Sequence, residues 1–301
     1  MRSSIFRIGV LLVSLLYWMA RPLRRVLAGT AGGGNAAPVC ILCYHGIADR
    51  LRARFTWQMQ HLAKHCQPVE WTGLGRVADG RARVLVTFDD ALISLQRNAF
   101  PILASLNIPC VVFVPTAQLG SRCVWMRSPE EFAAAQGRPM PARDLEQLAT
   151  ERVMTRDELA ALDFRLIALA SHGTRHRKLA LLPAEELEEE LRQSKSCLEE
   201  ITGQKVDLVS YPHGSYDSTV LETQARLGYR LGFSIEPIAR PGPPEVYGRM
   251  VVEPSDWRLE FALKAAGAYE WLFHYSRLVR WLRKGARAGA QAPAPPPPRP
   301  G

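Results

Sequence analysis

The sequence shows no internal repeat, no dense cysteine pattern and no apolar run long enough to cross a bilayer, and each lack removes a class. Six cysteines in 301 residues, Cys40, Cys43, Cys66, Cys110, Cys123 and Cys197, do not make a disulfide scaffold. Cys40-Ile-Leu-Cys43 has the spacing of a metal or redox pair, but it lies in an apolar run that reads as a strand. Residues three apart on a strand face opposite ways, so the two thiols do not meet. The central part of the chain also lacks excess positive charge. Residues 1–30 hold five Arg and no acid, and residues 264–301 hold seven basic side chains against one Glu. Residues 31–263 keep 26 basic against 28 acidic side chains, which argues against a nucleic-acid-binding core with a basic stripe. A basic total carried by the two ends points to anionic membrane surfaces instead.

The most apolar stretch, Ile8 to Ala20, has thirteen residues, with Arg2 and Arg7 before it and Arg21, Arg24 and Arg25 after. A spanning helix needs about twenty. The stretch suits a signal-peptide core or an interfacial anchor, and the near-even arginine count leaves the membrane side open. The composition, 47% hydrophobic and 22% charged, is that of an ordinary globular protein. We divide the chain into an anchor or signal segment with a Gly-rich linker (1–35), a folded domain (36–263), a basic amphipathic helix (264–290) and a Pro-rich tail (291–301).

Within the domain, short apolar runs alternate with helix-like segments. Strands are expected over Val39–Tyr44, through Val84-Leu-Val-Thr-Phe88, and over Ile108–Pro115, Leu166–Ser171 and Val206–Tyr211. Residues 116–152 read as a long excursion over the top of the domain. Thr155 followed by Glu158 marks a capped helix start, and Leu187, Leu191, Leu198 and Ile201 mark a longer helix. The run Glu185, Glu186, Glu188, Glu189 and Glu190 near its start reads as a solvated face. The alternation predicts an α/β fold with parallel strands, and the notable polar residues fall where strands stop.

That edge carries the chemistry. Val84 to Phe88 ends in two adjacent carboxylates, Asp89 and Asp90, which repel unless a cation or proton lies between them. His172 and His176, four apart in a Gly-containing turn, can aim both rings at one point. With Asp90 they form a triad suited to a metal with open positions for water and substrate.

The segments Thr87-Phe88-Asp89-Asp90, His172-Gly-Thr-Arg-His176 and Tyr211-Pro212-His213-Gly214, in this order, resemble the polysaccharide deacetylase family, carbohydrate esterases with the NodB homology domain. The likeness spans about Val39 to Phe261 and implies a distorted (β/α) barrel of about seven strands. It implies removal of N-acetyl groups from an N-acetylhexosamine-containing polysaccharide or lipid-linked glycan. One divalent ion is implied, zinc first, with cobalt, nickel and manganese as alternatives. Asp89 is then the general base, Asp90, His172 and His176 the metal ligands, and the backbone N–H of His213 the oxyanion donor. Tyr44-His45-Gly46-Ile47 resembles the subgroup acting on poly-β-1,6-linked N-acetylglucosamine, which implies His45 as general acid.

Three positions depart from the family pattern. Ala91 stands where a glycine usually follows the acids, and Ser210 where an arginine usually tunes the base. His213 replaces an aromatic residue after the motif proline, and Leu272-Phe-His274 matches the family's late motif only by chance, inside the basic helix. Two other functions compete: a membrane-tethered glycan-binding module with weak catalysis, and a metal-dependent amidase acting on a non-sugar amide.

Overall fold

The structure, a computed structural model, describes residues 4–27, 39–74, 81–122, 150–236 and 244–272. Nine strands form one sheet: β1 (Cys40–Tyr44), β2 (Cys66–Pro68), β3 (Ala82–Phe88), β4 (Cys110–Val114), β5 (Ile167–Ser171), β6 (Leu208–Ser210), β7 (Leu231–Ser234), β8 (Glu245–Gly248) and β9 (Met250–Val251). The helices are α1 (Ser4–Leu27), α2 (Arg52–His65), α3 (Ser94–Asn98), α4 (Phe100–Ser105), α5 (Arg156–Ala160), α6 (Ala184–Thr202), α7 (Ser218–Arg226) and α8 (Arg258–Ala265). The strand order is β8-β7-β6-β5-β4-β3-β1-β9, with β2 paired to the start of β3, and every strand pair is parallel.

The two ends of that order, β8 and β9, are consecutive in the chain and joined by one residue, Arg249. The sheet therefore curls into a nearly closed barrel whose seam is crossed by the backbone itself. Alternation along each strand makes two cores. Ile41, Leu85, Val111, Phe113, Ala170, Leu208 and Phe233 fill the barrel interior. Leu42, Tyr44, Val86, Phe88, Val112 and Val209 face outward under the helices.

The expected elements stand within a few residues of their sequence positions. Thr155 caps α5 with both bonds of a capping box, Thr155 Oγ1 accepting from Glu158 N at 3.2 Å and Glu158 Oε2 accepting from Thr155 N at 2.7 Å. Cys40 and Cys43 do point apart. Cys40 Sγ meets Lys264 O at 3.3 Å, and Cys43 Sγ enters the barrel 3.5 Å from Asp89 Oδ2. The solvated reading of the glutamate run needs correction at Glu190, which is fully buried. Glu190 shares the inward face of α6 with Leu187, Leu191, Ser194 and Leu198, so helical periodicity overrides its charge.

Helix α1 lies against α8. Arg7 Nη2 contacts Glu260 Oε2 at 2.5 Å, Ser14 Oγ accepts from Trp271 Nε1 at 2.9 Å, and Val10, Leu11 and Leu15 pack on the main core. Trp271 and Leu272, the start of the expected basic helix, thus pack on the domain. The rest of that helix with His274, the Pro-rich tail, the 29–35 linker and most of the 116–152 excursion with Cys123 lie outside the described residues.

One close approach limits the barrel wall. A Cβ on Gly232 of β7 would stand 1.8 Å from Tyr211 Oη, which is buried and donates to Gln224 Oε1 at 2.5 Å. Gly232→Ala should therefore cost about 3 kcal/mol through overpacking. A urea midpoint equal to that of the parent protein would show that the Tyr211 ring is free to move aside.

Candidate active site

Strand register brings the motifs to one level. Tyr44 pairs with Phe88, Val114 with Ser171, Ser171 with Val209, and Ser210 with Phe233, so His45, Asp89, His172 and Tyr211 each follow a strand end on the same face of the barrel. Alternation then separates the two acids. Asp89 continues the inward series Leu85, Thr87 of β3 and sinks into the barrel. Asp90 adopts φ 69°, leaves the strand direction and turns to the histidines.

Inside the barrel Asp89 meets Arg249. Arg249 Nη1 donates to Asp89 Oδ1 at 2.6 Å and Nη2 to Oδ2 at 2.8 Å, a two-pronged pair with both side chains buried. The same guanidinium donates to Ser210 Oγ at 2.7 Å and to Ser234 O at 3.3 Å, and it stacks 5.1 Å from the Phe113 ring centre. Burial pushes the Asp89 carboxyl up, but Arg249, followed by His172 and His45, outweighs it and holds the group well below the usual carboxylate range. Burial alone would lower the Arg249 pKa, and Asp89 more than offsets it.

The arginine expected at position 210 is therefore supplied from the barrel seam, with Ser210 accepting a bond from it. Sequence reading missed Arg249 because it matches no motif. The available signal was a lone charge in the apolar run Val246 to Val252.

Asp90, His172 and His176 place one ligand atom each within 4.8 Å of one another. Asp90 Oδ1 is 3.9 Å from His172 Nε2 and 3.7 Å from His176 Nε2. Two atoms each about 2.1 Å from one ion can be at most about 4.2 Å apart, so both separations allow a shared metal. His172 Nδ1 lies 3.0 Å from Ser210 O. Donation of Nδ1–H to that carbonyl leaves the Nε2 lone pair facing Asp90, the usual arrangement around a ligating imidazole. Burial, then His172 and His213, lowers the His176 pKa to about 2, which keeps its ring neutral. Two imidazoles and one carboxylate are a donor set that suits a divalent cation.

His45 stands exposed at the rim, close enough for its charge to act on Asp89, His176 and the carboxylate of Glu253. His213 has φ 59°, and its ring centre is 4.7 Å from that of His176. All the sequence-derived candidates, Asp89, Asp90, His172, His176, His45 and His213, thus gather at one end of the barrel.

Two backbone features hold the arrangement. Ala91, at the expected glycine position, still takes positive φ, 48°, at a cost of about 1 kcal/mol. Ala91 O accepts from Met154 N at 2.9 Å, and the adjoining Leu92 bridges Val153, which pins the strained turn. The His172–His176 turn rests on Glu190. Its carboxylate accepts from Arg175 N, its carbonyl accepts from Thr174 Oγ1 at 2.7 Å, and Oε2 lies 3.5 Å from the guanidinium groups of both Arg175 and Arg177. Glu190→Ala should cost about 3 kcal/mol in stability and weaken zinc binding roughly 10-fold to 100-fold, measured by chelator competition. Unchanged zinc affinity in the folded variant would detach α6 from the site.

Residues 76–232, more than half of the chain, match the polysaccharide deacetylase family profile. YxkH of Bacillus subtilis (strain 168), named for the same activity, is 22% identical over 173 residues, 57% of this chain and 52% of that protein. The chain thus spans about half the length of this curated relative. Among solved structures, the Streptococcus pyogenes deacetylase PplD in complex with acetate superposes with TM-score 0.59 at 20% identity, covering 77% of this chain and 99% of the other. IcaB from Ammonifex degensii gives TM-score 0.58 at 23% identity, covering 77% and 98%. Both likenesses establish the barrel fold, and with the family match over its three motifs the chain belongs to the polysaccharide deacetylase family.

Proposed function

We propose that this protein is a metal-dependent hydrolase that removes N-acetyl groups from an N-acetylhexosamine-containing glycan. The observation that carries the reading is the different placement of the two adjacent acids. Asp89 is locked by Arg249 inside the barrel, while Asp90 faces His172 and His176. One carboxylate thus serves proton transfer and the other serves as a ligand.

A divalent ion held by Asp90, His172 and His176, zinc in the first instance, would polarise the acetyl carbonyl and acidify bound water. Asp89 takes the proton of the attacking water as its oxygen bonds to the acetyl carbon. The backbone N–H of His213 donates to the carbonyl oxygen as it gains charge. His45 gives a proton to the amide nitrogen as the C–N bond breaks, leaving acetate and a free amine on the sugar. A binding module without turnover would need neither the clamped base nor the rim histidine, whereas a non-sugar amide would use the same groups.

Acetate release from N-acetylglucosamine oligomers tests these roles. Asp89→Asn should abolish release and keep zinc bound, while Asp90→Asn should lose both. Arg249→Met removes the charge that depresses the Asp89 pKa, so the acidic limb of the pH–rate profile should move to higher pH. Asp89→Asn and Asp90→Asn behaving alike would overturn the division of roles, and release only from small non-sugar acetamides would shift the substrate class.

We further propose that the enzyme acts at an anionic bilayer. No described helix is long and apolar enough to cross a membrane. Helix α1 uses Arg7, Val10, Leu11 and Ser14 toward the domain, yet Ile8, Leu12, Leu16 and Met19 line the opposite side and are exposed. A helix apolar on both sides calls for a second apolar partner, and the absence of any acid in residues 1–30 favours an anionic lipid surface. The full chain should co-float with phosphatidylglycerol vesicles, and Leu12→Glu with Leu16→Glu should abolish this. Equal flotation of the double variant would show that another surface binds lipid.

A further inference from the structure

A cavity opens at the same end of the barrel as the candidate site, between the first turns of α2 and the segment leading into α8. It has a volume of about 390 Å³ and is lined in part by Arg54, Trp57, Gln58, Asp256, Trp257 and Arg258. Both walls follow strand ends: α2 comes after β1 and His45, and α8 comes after β9 and Glu253. Gln58 ties the cavity to the site. Its Oε1 accepts from Tyr44 Oη at 2.9 Å, and its Nε2 donates to Glu253 O at 2.9 Å. The residue before His45 and the acid that feels its charge are thus bonded to one side chain of the cavity wall.

The lining is preset. Arg258 lies over the Trp57 ring, 5.0 Å from its centre, and Arg54 Nη1 donates to Ser255 O at 3.2 Å. Trp257 is 37% exposed, and Arg7 of α1 covers part of it, 4.5 Å from the ring centre. Charge in the lining is one-sided. Asp256 is matched by Lys264 Nζ at 2.7 Å, which leaves Arg54 and Arg258 facing no other carboxylate among the lining residues. His61 stacks on the Trp57 ring 5.3 Å away, so the exposed part of Trp257 is the indole surface that suits the apolar face of a pyranose ring, and guanidinium groups suit a carboxylate or a phosphate. The volume is near the low end of the about 300–1,000 Å³ usual for ligand pockets, room for one sugar unit.

We propose that this cavity is a subsite for a sugar neighbouring the reacting unit, and that it selects a pyranose carrying an anionic substituent. The inference rests on the deacetylase reading of the adjoining site, because it makes that neighbour part of the same glycan. The protein then prefers an acidic polymer over a neutral one. The preference falls on KM because a guanidinium–anion contact at a unit that does not change during the reaction is equally strong in the ground and transition states.

Two measurements on the full chain test it. The first compares acetate release from a neutral N-acetylglucosamine oligomer and from one of equal length in which glucuronate alternates with N-acetylglucosamine. The acidic oligomer should show KM about tenfold lower, the worth of one charge-assisted contact, and Arg54→Gln with Arg258→Gln should erase that ratio through KM rather than kcat. The second follows tryptophan fluorescence as glucuronate or glucose 6-phosphate is added to Asp89→Asn protein. Saturable quenching lost in Trp257→Ala supports the subsite, and the stronger of the two sugars identifies the substituent. Quenching without acetate release from any oligomer by the parent protein would keep the subsite and sink the deacetylase reading. Equal KM for both oligomers, or no quenching by either sugar, would overturn the subsite while leaving that reading intact.

Discussion

The arrangement at the top of this barrel depends on one ion pair, Asp89 with Arg249. Both groups are buried inside a closed sheet, where either charge alone would cost several kcal/mol. The pair is therefore an obligation of the fold as well as a feature of the site. Arg249 is the single residue between β8 and β9, the two strands at the ends of the sheet order. Seating its guanidinium on Asp89 fixes where the seam closes. Its further bonds to Ser210 Oγ and Ser234 O extend the clamp to β6 and β7. Four strands are thus referenced to one carboxylate, which makes the orientation of Asp89 hard to change without disturbing the wall.

A carboxylate held this firmly ionised is a weak base. The proton transfer proposed for Asp89 then requires a water far more acidic than bulk water, and the Asp90, His172 and His176 set beside it is where that acidity would arise. The two halves of the site need each other for this reason. Between them, the chain turns through left-handed backbone at Asp90, Ala91, His176 and His213; aspartate and histidine tolerate that conformation better than most residues, and Ala91 carries the clearest cost. Four non-glycine residues keep this conformation around one site because the barrel below determines the strand ends and loop contacts hold the turns.

How much of this was legible in the sequence follows from range. Asp89, Asp90, His172, His176, His45 and His213 all lie within five residues after an apolar strand, so local pattern both located them and placed them at one end of the barrel. The distinct fates of Asp89 and Asp90 could be read from strand alternation once β3 was assigned. Arg249 was harder to read, because its partner lies 160 positions away and the one local signal, a lone charge in an apolar run, does not say what it pairs with. Glu190 was misread because five glutamates in six positions look like a solvated face. The apolar spacing of Leu187, Leu191 and Leu198 was visible, and Glu190 falls within that stripe, so periodicity was the better guide than charge. Ala91 shows the opposite limit: the expected glycine is missing, yet the backbone takes the conformation glycine would have taken.

The N-terminal helix joins two surfaces that the sequence presents as unrelated. Arg7 pairs with Glu260 of α8 and lies over Trp257, a wall of the rim cavity, while the next turns of α1 expose Ile8, Leu12 and Leu16 on the far side. A tether attached through a flexible linker would leave the barrel free to rotate against a membrane. A helix bonded along α8 does not, because its exposed apolar stripe and the cavity wall then move as one body. Contact of that stripe with a bilayer would hold the open end of the barrel at a fixed angle to the surface. It would also hold the Arg54 and Arg258 cavity at a fixed distance from it. If the proposed placement at a bilayer holds, a membrane-proximal glycan would meet the cavity and the Asp90, His172 and His176 cluster in an order set by how α1 is docked.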